Sequence, residues 1–260
     1  MIYPERTEKM QDQFSRTRLL LGTDSVDRLL RCRVAVFGLG GVGGAAVEAL
    51  ARAGVGALDL IDNDTVALSN LNRQTVATHD TLGRYKTDAA KERVLSINPD
   101  CKVTVHRTFY MPENSGDFNF RDYDYIIDAI DTVSAKLSLI EEANAAGVPI
   151  ISAMGAGNKT DPTAFRVADI YETSVCPLAR VIRTECRKRG IAHLRVVYSE
   201  EKPHSPRSPE CAESKGTAGR PSPGSTSFVP PVVGMIAAGE VILSLIKTGE
   251  KADGNNPRRA

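Results

Sequence analysis

The segment "RVAVFGLGGVGGAAVEALARAG" at 33–54 constrains the fold more than any other stretch of the chain. Its first part, "RVAVFG" (33–38), is a short β-branched run that reads as a strand. The following "GGVGGAAVEALARAG" (40–54) reads as a helix whose Gly and Ala positions let it lie close to a sheet, with Gly54 as its stop signal. Gly38, Gly40 and Gly43 fit G-x-G-x-x-G at the junction, with Gly41 beside them, in the strand-to-helix context that the motif requires. Amides in such a turn can approach a phosphate closely, and the helix N-terminus adds roughly half a positive charge.

The same alternation continues along the chain. "ALDLID" (57–62), "KVTVHR" (102–107), "YIIDAID" (125–131) and "GVPIISA" (147–153) supply further strands, and a helix starts near Thr132. Beyond residue 160, "AFRVADI" and "HLRVVYS" read as strands around a helix, "PLARVIRTECRKRG", opened by Pro177. The expected architecture is α/β: a doubly wound, mainly parallel Rossmann-like sheet over 1–160, with a smaller C-terminal lobe over 161–260 and ligands at the carboxyl ends of the strands. Five prolines, five serines and three glycines crowd the stretch 203–226, which is expected as a mobile loop (203–227) leading to the last helix. That helix, "FVPPVVGMIAAGEVILSLI" (228–246), approaches membrane-spanning length, but it carries Glu240 and two prolines near its start. It is expected to be buried at a domain or subunit contact, with no membrane partner.

Composition narrows the partners. The 33 basic and 32 acidic residues nearly cancel, so an anionic partner must meet a local patch and not a general field. Cysteines at 32, 101, 176, 186 and 211 form no CxxC pair, which argues against a disulfide framework and a four-cysteine zinc site. A reducing cytoplasm fits this usage, and the charged N-terminus lacks the apolar core of a secretory signal. His79, His106, His193 and His204 are scattered without metal-ligand spacing.

Asp62 ends the second strand nineteen residues after Gly43, where a carboxylate can accept ribose hydroxyl bonds in NAD and ATP enzymes alike. Asp64 stands beside it as a further nucleotide-binding candidate. Hydride transfer and nucleotide activation remain open at this point. "SNLNRQTVATHDTLGRYK" (69–86) favours activation, because a triphosphate uses an arginine and a lysine arriving after the second strand. Arg73 and Lys86 can neutralise phosphates and a five-coordinate phosphorus during attack at the α position, with Asn70 and Gln74 adding hydrogen bonds. Magnesium bound to nucleotide takes one or two carboxylates, and "DAID" supplies Asp128 and Asp131. Asp131 lies farther past the strand end and is the expected metal ligand; Asp128 is the alternative support for the loop.

"GLGGVG", "LIDNDTVALSNLNRQ", "GRYK" and "DAIDT", together with "FSRTRLLLG", resemble the adenylating domain of the ubiquitin-activating, ThiF, MoeB and HesA family over about residues 14–155. The resemblance implies that the glycine loop, Asp62, Asn70, Arg73, Lys86 and Asp131 bind MgATP. It also implies that Arg16, on an N-terminal arm, reaches the ATP of a neighbouring subunit in a homodimer. The implied reaction is attack of a substrate carboxylate on the α-phosphate. Members that activate ubiquitin-like sulfur carriers usually hold two CxxC pairs, which are missing here, so adenylation of a sulfur-carrier C-terminus is the second reading. A cysteine-desulfurase-type sulfur-relay protein stays open as a partner. "MGAGNKTDPTAFRVADIYETSVCPLARVIRTECRKRGI" looks like the branch of tRNA threonylcarbamoyladenosine dehydratases, which implies tRNA as substrate and closure of a hydantoin ring with loss of water.

The helix in that segment gives a physical reason to expect RNA. Arg180, Arg183 and Arg187 are spaced i, i+3, i+7 along one face, with Lys188 and Arg189 beside them. Such a strip can track phosphates; a solvated helix face is the alternative. Cys176, just before that helix, is read as a buried structural thiol, with a thioester or sulfur-transfer role as the alternative.

Overall fold

The protein is described by a computed structural model covering residues 12–208, 214–215 and 220–247. Cys211 lies outside the described residues. Two short helices, α1 (Ser15–Leu21) and α2 (Thr23–Leu29), precede β1 (Arg33–Phe37), α3 (Gly41–Ala53) and β2 (Ala57–Ile61). Then come α4 (Lys86–Ile97), β3 (Lys102–His106), β4 (Tyr125–Asp128), α5 (Val133–Ala146) and β5 (Ile150–Ala153). The last part holds β6 (Phe165–Asp169), α6 (Pro177–Lys188), β7 (Arg195–Ser199), a hairpin of β8 (Ser214–Lys215) and β9 (Arg220–Pro221), and α7 (Val229–Lys247).

Seven strands make one sheet in the order β3-β2-β1-β4-β5-β7-β6. All adjacent pairs run parallel except β6 with β7. The chain winds outward from β1 to β3, then returns to start β4 on the other side of β1. Between β1 and β4 the order reverses, and in such sheets the crevice at that switch point receives ligands.

Alternation along the strands sorts the core. Val34, Val36, Leu58, Leu60 and Ile127 face the side covered by α3, α4 and α7. Ala35, Phe37 and Ile126 face the opposite side with α5. These central strands are buried on both faces, so they read as continuous apolar runs. Each fully buried aliphatic side chain contributes roughly 1.5–3 kcal/mol of transfer free energy.

The segment expected as a smaller C-terminal lobe is continuous with this core. β7 pairs with β5, β6 adds an antiparallel edge, and α7 lies along α3. The helix α7 is long and apolar enough by length and composition to cross a membrane. Its apolarity has a use within the fold, because Val229, Val233, Ala237, Val241 and Leu245 are buried at four-residue spacing. At Gly234 a Cβ would lie 2.1 Å from the Val42 carbonyl, so only glycine permits this approach. Glu240 forms a 2.8 Å ion pair with Arg195 of β7.

The expected loop 203–227 contains the β8–β9 hairpin, and both of its ends are tied to Asn158. The Asn158 carbonyl accepts from the His204 amide at 2.7 Å, and its amide donates to the Gly224 carbonyl at 2.7 Å. Its Oδ1 accepts from the Gly224 amide at 2.7 Å. Asn158 holds φ at 56°, one of two non-glycine residues among those described with a positive φ.

Candidate active site

A cavity of about 860 Å³ opens at the carboxyl ends of β1, β2, β4 and β5. It begins with the glycine turn. Gly38 sits at φ 88°, and a Cβ there would be 2.7 Å from the Ala129 carbonyl. A Cβ on Gly43 would come within 1.8 Å of the Gly38 carbonyl, so the turn closes on itself only with glycine at this position. Nothing lies within 4 Å of a Cβ built on Gly40, which leaves that backbone open to the cavity.

Asp62 fixes this turn to the next strand. Its Oδ2 accepts from the Leu39 amide at 2.6 Å and its Oδ1 from the Asp64 amide at 2.8 Å. Burial pushes the Asp62 carboxyl above the ordinary carboxylate value, against the opposing pull of Lys86 and the two amides. Each oxygen keeps a lone pair for a ribose hydroxyl.

The loop after β2 brings in the cations. The Asn70 carbonyl accepts from the amides of Arg73 and Gln74 at 3.1 and 3.0 Å, and Asn70 Oδ1 accepts from the Ala67 amide. Arg73 is thereby laid against the glycine turn, its Cγ 3.3 Å from where a Cβ on Gly41 would sit. Its guanidinium donates to the Ser69 carbonyl at 2.8 Å and to Asn72 Oδ1 at 2.7 Å. Lys86, the first residue of α4, is buried, and its ammonium reaches Asp64 Oδ2 at 2.7 Å. Gln74 is buried on the cavity wall with Oε1 unpartnered, an acceptor that a ligand hydroxyl or amine would satisfy.

The loop after β4 divides the roles of its two aspartates. Asp128 is fully buried and accepts from Lys136 Nζ at 3.0 Å, from the Ile130 amide at 3.1 Å and from the Ser152 hydroxyl. It supports the loop and does not line the cavity. Asp131 is exposed and does line it. No group of three or more metal-ligating side chains occurs among the described residues. A single carboxylate fits magnesium carried in by nucleotide phosphates, and it does not make a free-standing cation site.

Gly38, Gly40, Gly41, Asp62, Asp64, Asn70, Arg73, Gln74, Lys86 and Asp131 thus line one cavity, with Gly43 shaping its turn. Arg16 does not line it. It is exposed on α1, and the preceding Phe14 packs on Gly54 at the far end of α3 from the glycine turn.

The arginine strip of α6 is only partly available. Arg180 is exposed, whereas Arg183 donates to the Thr173 carbonyl and hydroxyl at 2.7 Å each. The Arg187 guanidinium lies over the Tyr171 ring at 5.3 Å. Lys188 and Arg189 pair with Glu185, and Arg189 also reaches Glu141 at 3.1 Å. Cys176 and Cys186 are buried, as are Cys32 and Cys101.

Three wall segments escaped sequence reasoning. Thr108–Tyr110 follow β3 and Met154–Gly157 follow β5, positions that a doubly wound sheet assigns to ligands as a rule. Arg207 and Pro223, from the two tethered ends of the Pro/Ser-rich segment, also line the cavity. No periodic pattern marks them.

Residues 14–258 match the ThiF family. The tRNA threonylcarbamoyladenosine dehydratase of Bacillus subtilis (strain 168) is 43% identical over 244 residues, covering 92% of this chain and 96% of that protein. The Escherichia coli (strain K12) protein of the same name is 39% identical over 177 residues, 68% of this chain and 66% of that one. The crystal structure of the E. coli enzyme, TcdA, in complex with ATP superposes with a TM-score of 0.83 at 31% identity, covering 92% of this chain and 96% of that one.

Proposed function

The chain belongs to the ThiF family, and on that premise we propose that it is an ATP-dependent tRNA threonylcarbamoyladenosine dehydratase. The observation that carries the reading is the convergence of the glycine turn, Arg73, Lys86 and Asp131 on one cavity at the switch point of the sheet. The 43% identity to the B. subtilis dehydratase over 92% of the chain supports the substrate.

In this reading the threonyl carboxylate attacks the α-phosphorus of ATP, an acyl adenylate forms and pyrophosphate leaves. The turn amides and the N-terminus of α3 hold phosphate oxygens, and Arg73 and Lys86 offset the charge that builds at phosphorus. Lys86 is held ready by Asp64. Asp131 would hold Mg2+, which would offset the negative charge of the phosphates. A ureido nitrogen then attacks the activated carbonyl, AMP leaves with one carboxylate oxygen, the nitrogen proton is lost and the hydantoin ring closes. Because the attack is intramolecular, no cysteine nucleophile is required. The buried thiols of the described cysteines agree with that and give a sulfur-relay partner no exposed sulfur there.

The finer parts of the reading are a cytoplasmic homodimer in which Arg16 serves the partner's site. Leu19 and Leu20 support it: beside Arg16 on α1, each is 84% exposed, an apolar pair suited to a subunit contact. Arg180 and Arg187 remain candidates for tRNA phosphates.

The test is incubation with MgATP and tRNA bearing threonylcarbamoyladenosine, followed by digestion and mass spectrometry for the nucleoside lighter by one water. Product is expected with wild type. Arg73→Ala and Lys86→Ala should lower the rate by about 10²–10³ or more, the range for losing a transition-state donor. Folded, ATP-binding wild-type protein that forms no product would sink the reading.

A further inference from the structure

The cavity has two halves of different character. One is the nucleotide side already described. The other is walled by Met154, Gly155 and Ala156 after β5, Leu178 at the start of α6, and Arg207 and Pro223 from the tethered segment. Ser208, Ser222 and Ser225 of the same segment add hydroxyls to that second wall, and among its described residues Arg207 is the charged one.

Among the described residues, three carboxylates line the cavity, Asp62, Asp64 and Asp131, against three cations, Arg73, Lys86 and Arg207. Lys86 is ion-paired with Asp64, and Arg73 is laid on the glycine turn. Arg207 is exposed and forms no ion pair among the described residues. With the first two cations on the nucleotide side, Arg207 is the cation that the described lining offers on the other side. Without it the carboxylates would outnumber the cations facing an incoming polyanion, which costs encounter rate and affinity.

The backbone around Arg207 is restrained. The His204 amide is held by the Asn158 carbonyl at 2.7 Å. Glu201 accepts from the amides of Thr160 and Asp161 at 2.9 and 3.0 Å. Pro203 and Pro206 fix φ on either side of His204. Across the gap, a Cβ on Gly157 would lie 2.6 Å from Pro223 Cβ, so the returning end of the segment is packed tightly on the loop after β5.

We propose that this second half is the acceptor subsite and that Arg207 binds an oxyanion of the tRNA substrate there. The assignment rests on the dehydratase reading. A guanidinium presents a planar fork of donors that matches a carboxylate or a phosphate in two-point contact. Both sources exist on this acceptor: the threonyl carboxylate itself and the backbone phosphates around the modified nucleoside.

The experiment compares wild type, Arg207→Ala and Arg207→Lys by tRNA kinetics at saturating ATP and by direct titration of ATP. Arg207 is exposed and forms no ion pair among the described residues, so the variants are expected to fold with unchanged Tm. The expected result for Arg207→Ala is a KM for modified tRNA raised about tenfold or more, with Arg207→Lys between it and wild type, and an unchanged Kd for ATP. Unmodified tRNA used as a competitor separates the two sources. If its inhibition constant rises by the same factor and the salt slope of binding falls by about one, Arg207 holds a phosphate. If its inhibition constant is unchanged, Arg207 holds the carboxylate. An unchanged KM for modified tRNA, or a Kd for ATP weakened by the same factor, overturns the assignment. Wild-type protein that binds ATP and converts no tRNA overturns the dehydratase reading itself, an outcome distinct from normal wild-type turnover with an unaffected variant.

Discussion

Lys136 lies on α5 with no exposed surface, its ammonium 3.0 Å from Asp128 and 2.9 Å from the Ile130 carbonyl. Through those contacts it fixes the backbone that carries Asp131 into the cavity. Replacing it with methionine would keep the volume, leave the buried Asp128 carboxylate with neutral donors and no counter-charge, and take the lysine donor from the Ile130 carbonyl. Breaking one side of a buried pair costs about 3–5 kcal/mol. Lys136→Met is therefore expected to lower unfolding free energy by that amount in urea titrations, and Asp128→Asn added to it to recover part of the loss. A purely additive double variant would show that the two charges do not act as a pair. Sequence reasoning could not find this lysine. In "DTVSAK" it follows a strand-end aspartate on a helix, where a lysine ordinarily faces water. Arg73 and Lys86, by contrast, line the cavity that their order after an acidic strand end predicts, whatever their role there. At Arg183, helical spacing gives the direction of the side chain but not the Thr173 carbonyl that its guanidinium meets.

Among the elements, β1 and α3 were readable because the glycines, the small-residue helix face and the stop at Gly54 are all local signals. For β6 and β7 the sequence predicts strands, but in a lobe of their own and not in the main sheet that they join. Which strand pairs with which is set by contacts distant in sequence, and nothing in "HLRVVYS" names β5 as its neighbour. The tethered segment was unreadable for another reason: its anchor is backbone hydrogen bonding to Asn158, which leaves no hydrophobic period. The final helix was expected to be buried, and Gly234 shows how closely it sits. A Cβ there would meet the Val42 carbonyl at 2.1 Å, the Ala46 amide nitrogen at 2.9 Å and Ala45 Cβ at 3.0 Å. Two of these three are backbone atoms and cannot rotate away. Gly234→Ala is expected to push α7 from α3 at a cost of about 1–3 kcal/mol, read as a lowered urea midpoint with little change in slope. The same shift would reach the site, since Pro230 of α7 stands 2.9 Å from a Cβ position on Gly41. A weaker Kd for ATP should accompany the loss, and an unchanged midpoint would show that the helices part without strain.

At the scale of the whole molecule, every nucleotide-side candidate except Arg16 converges within one chain. Arg16 is carried on α1, behind a Phe14 packed at the opposite end of α3, and an 84%-exposed Leu19 and Leu20 follow it. A cation that serves ATP from there is best placed to serve another chain's ATP, and the proposed two-fold dimer makes that reciprocal. Mixing two inactive proteins tests this. In a dimer formed from Arg16→Ala and Lys86→Ala subunits, the first subunit's cavity keeps Lys86 and receives the intact Arg16 of its partner. The other cavity loses both groups. Random re-pairing of equal amounts puts half of the molecules in mixed dimers, each with one complete site. Dehydration should then recover to about one quarter of the wild-type rate, while each variant alone stays near its floor. Native mass spectrometry on the same sample confirms that subunits have exchanged. Exchange without recovery would mean that Arg16 acts within its own chain or has no part in the reaction, and the exposed leucines would then need a different partner.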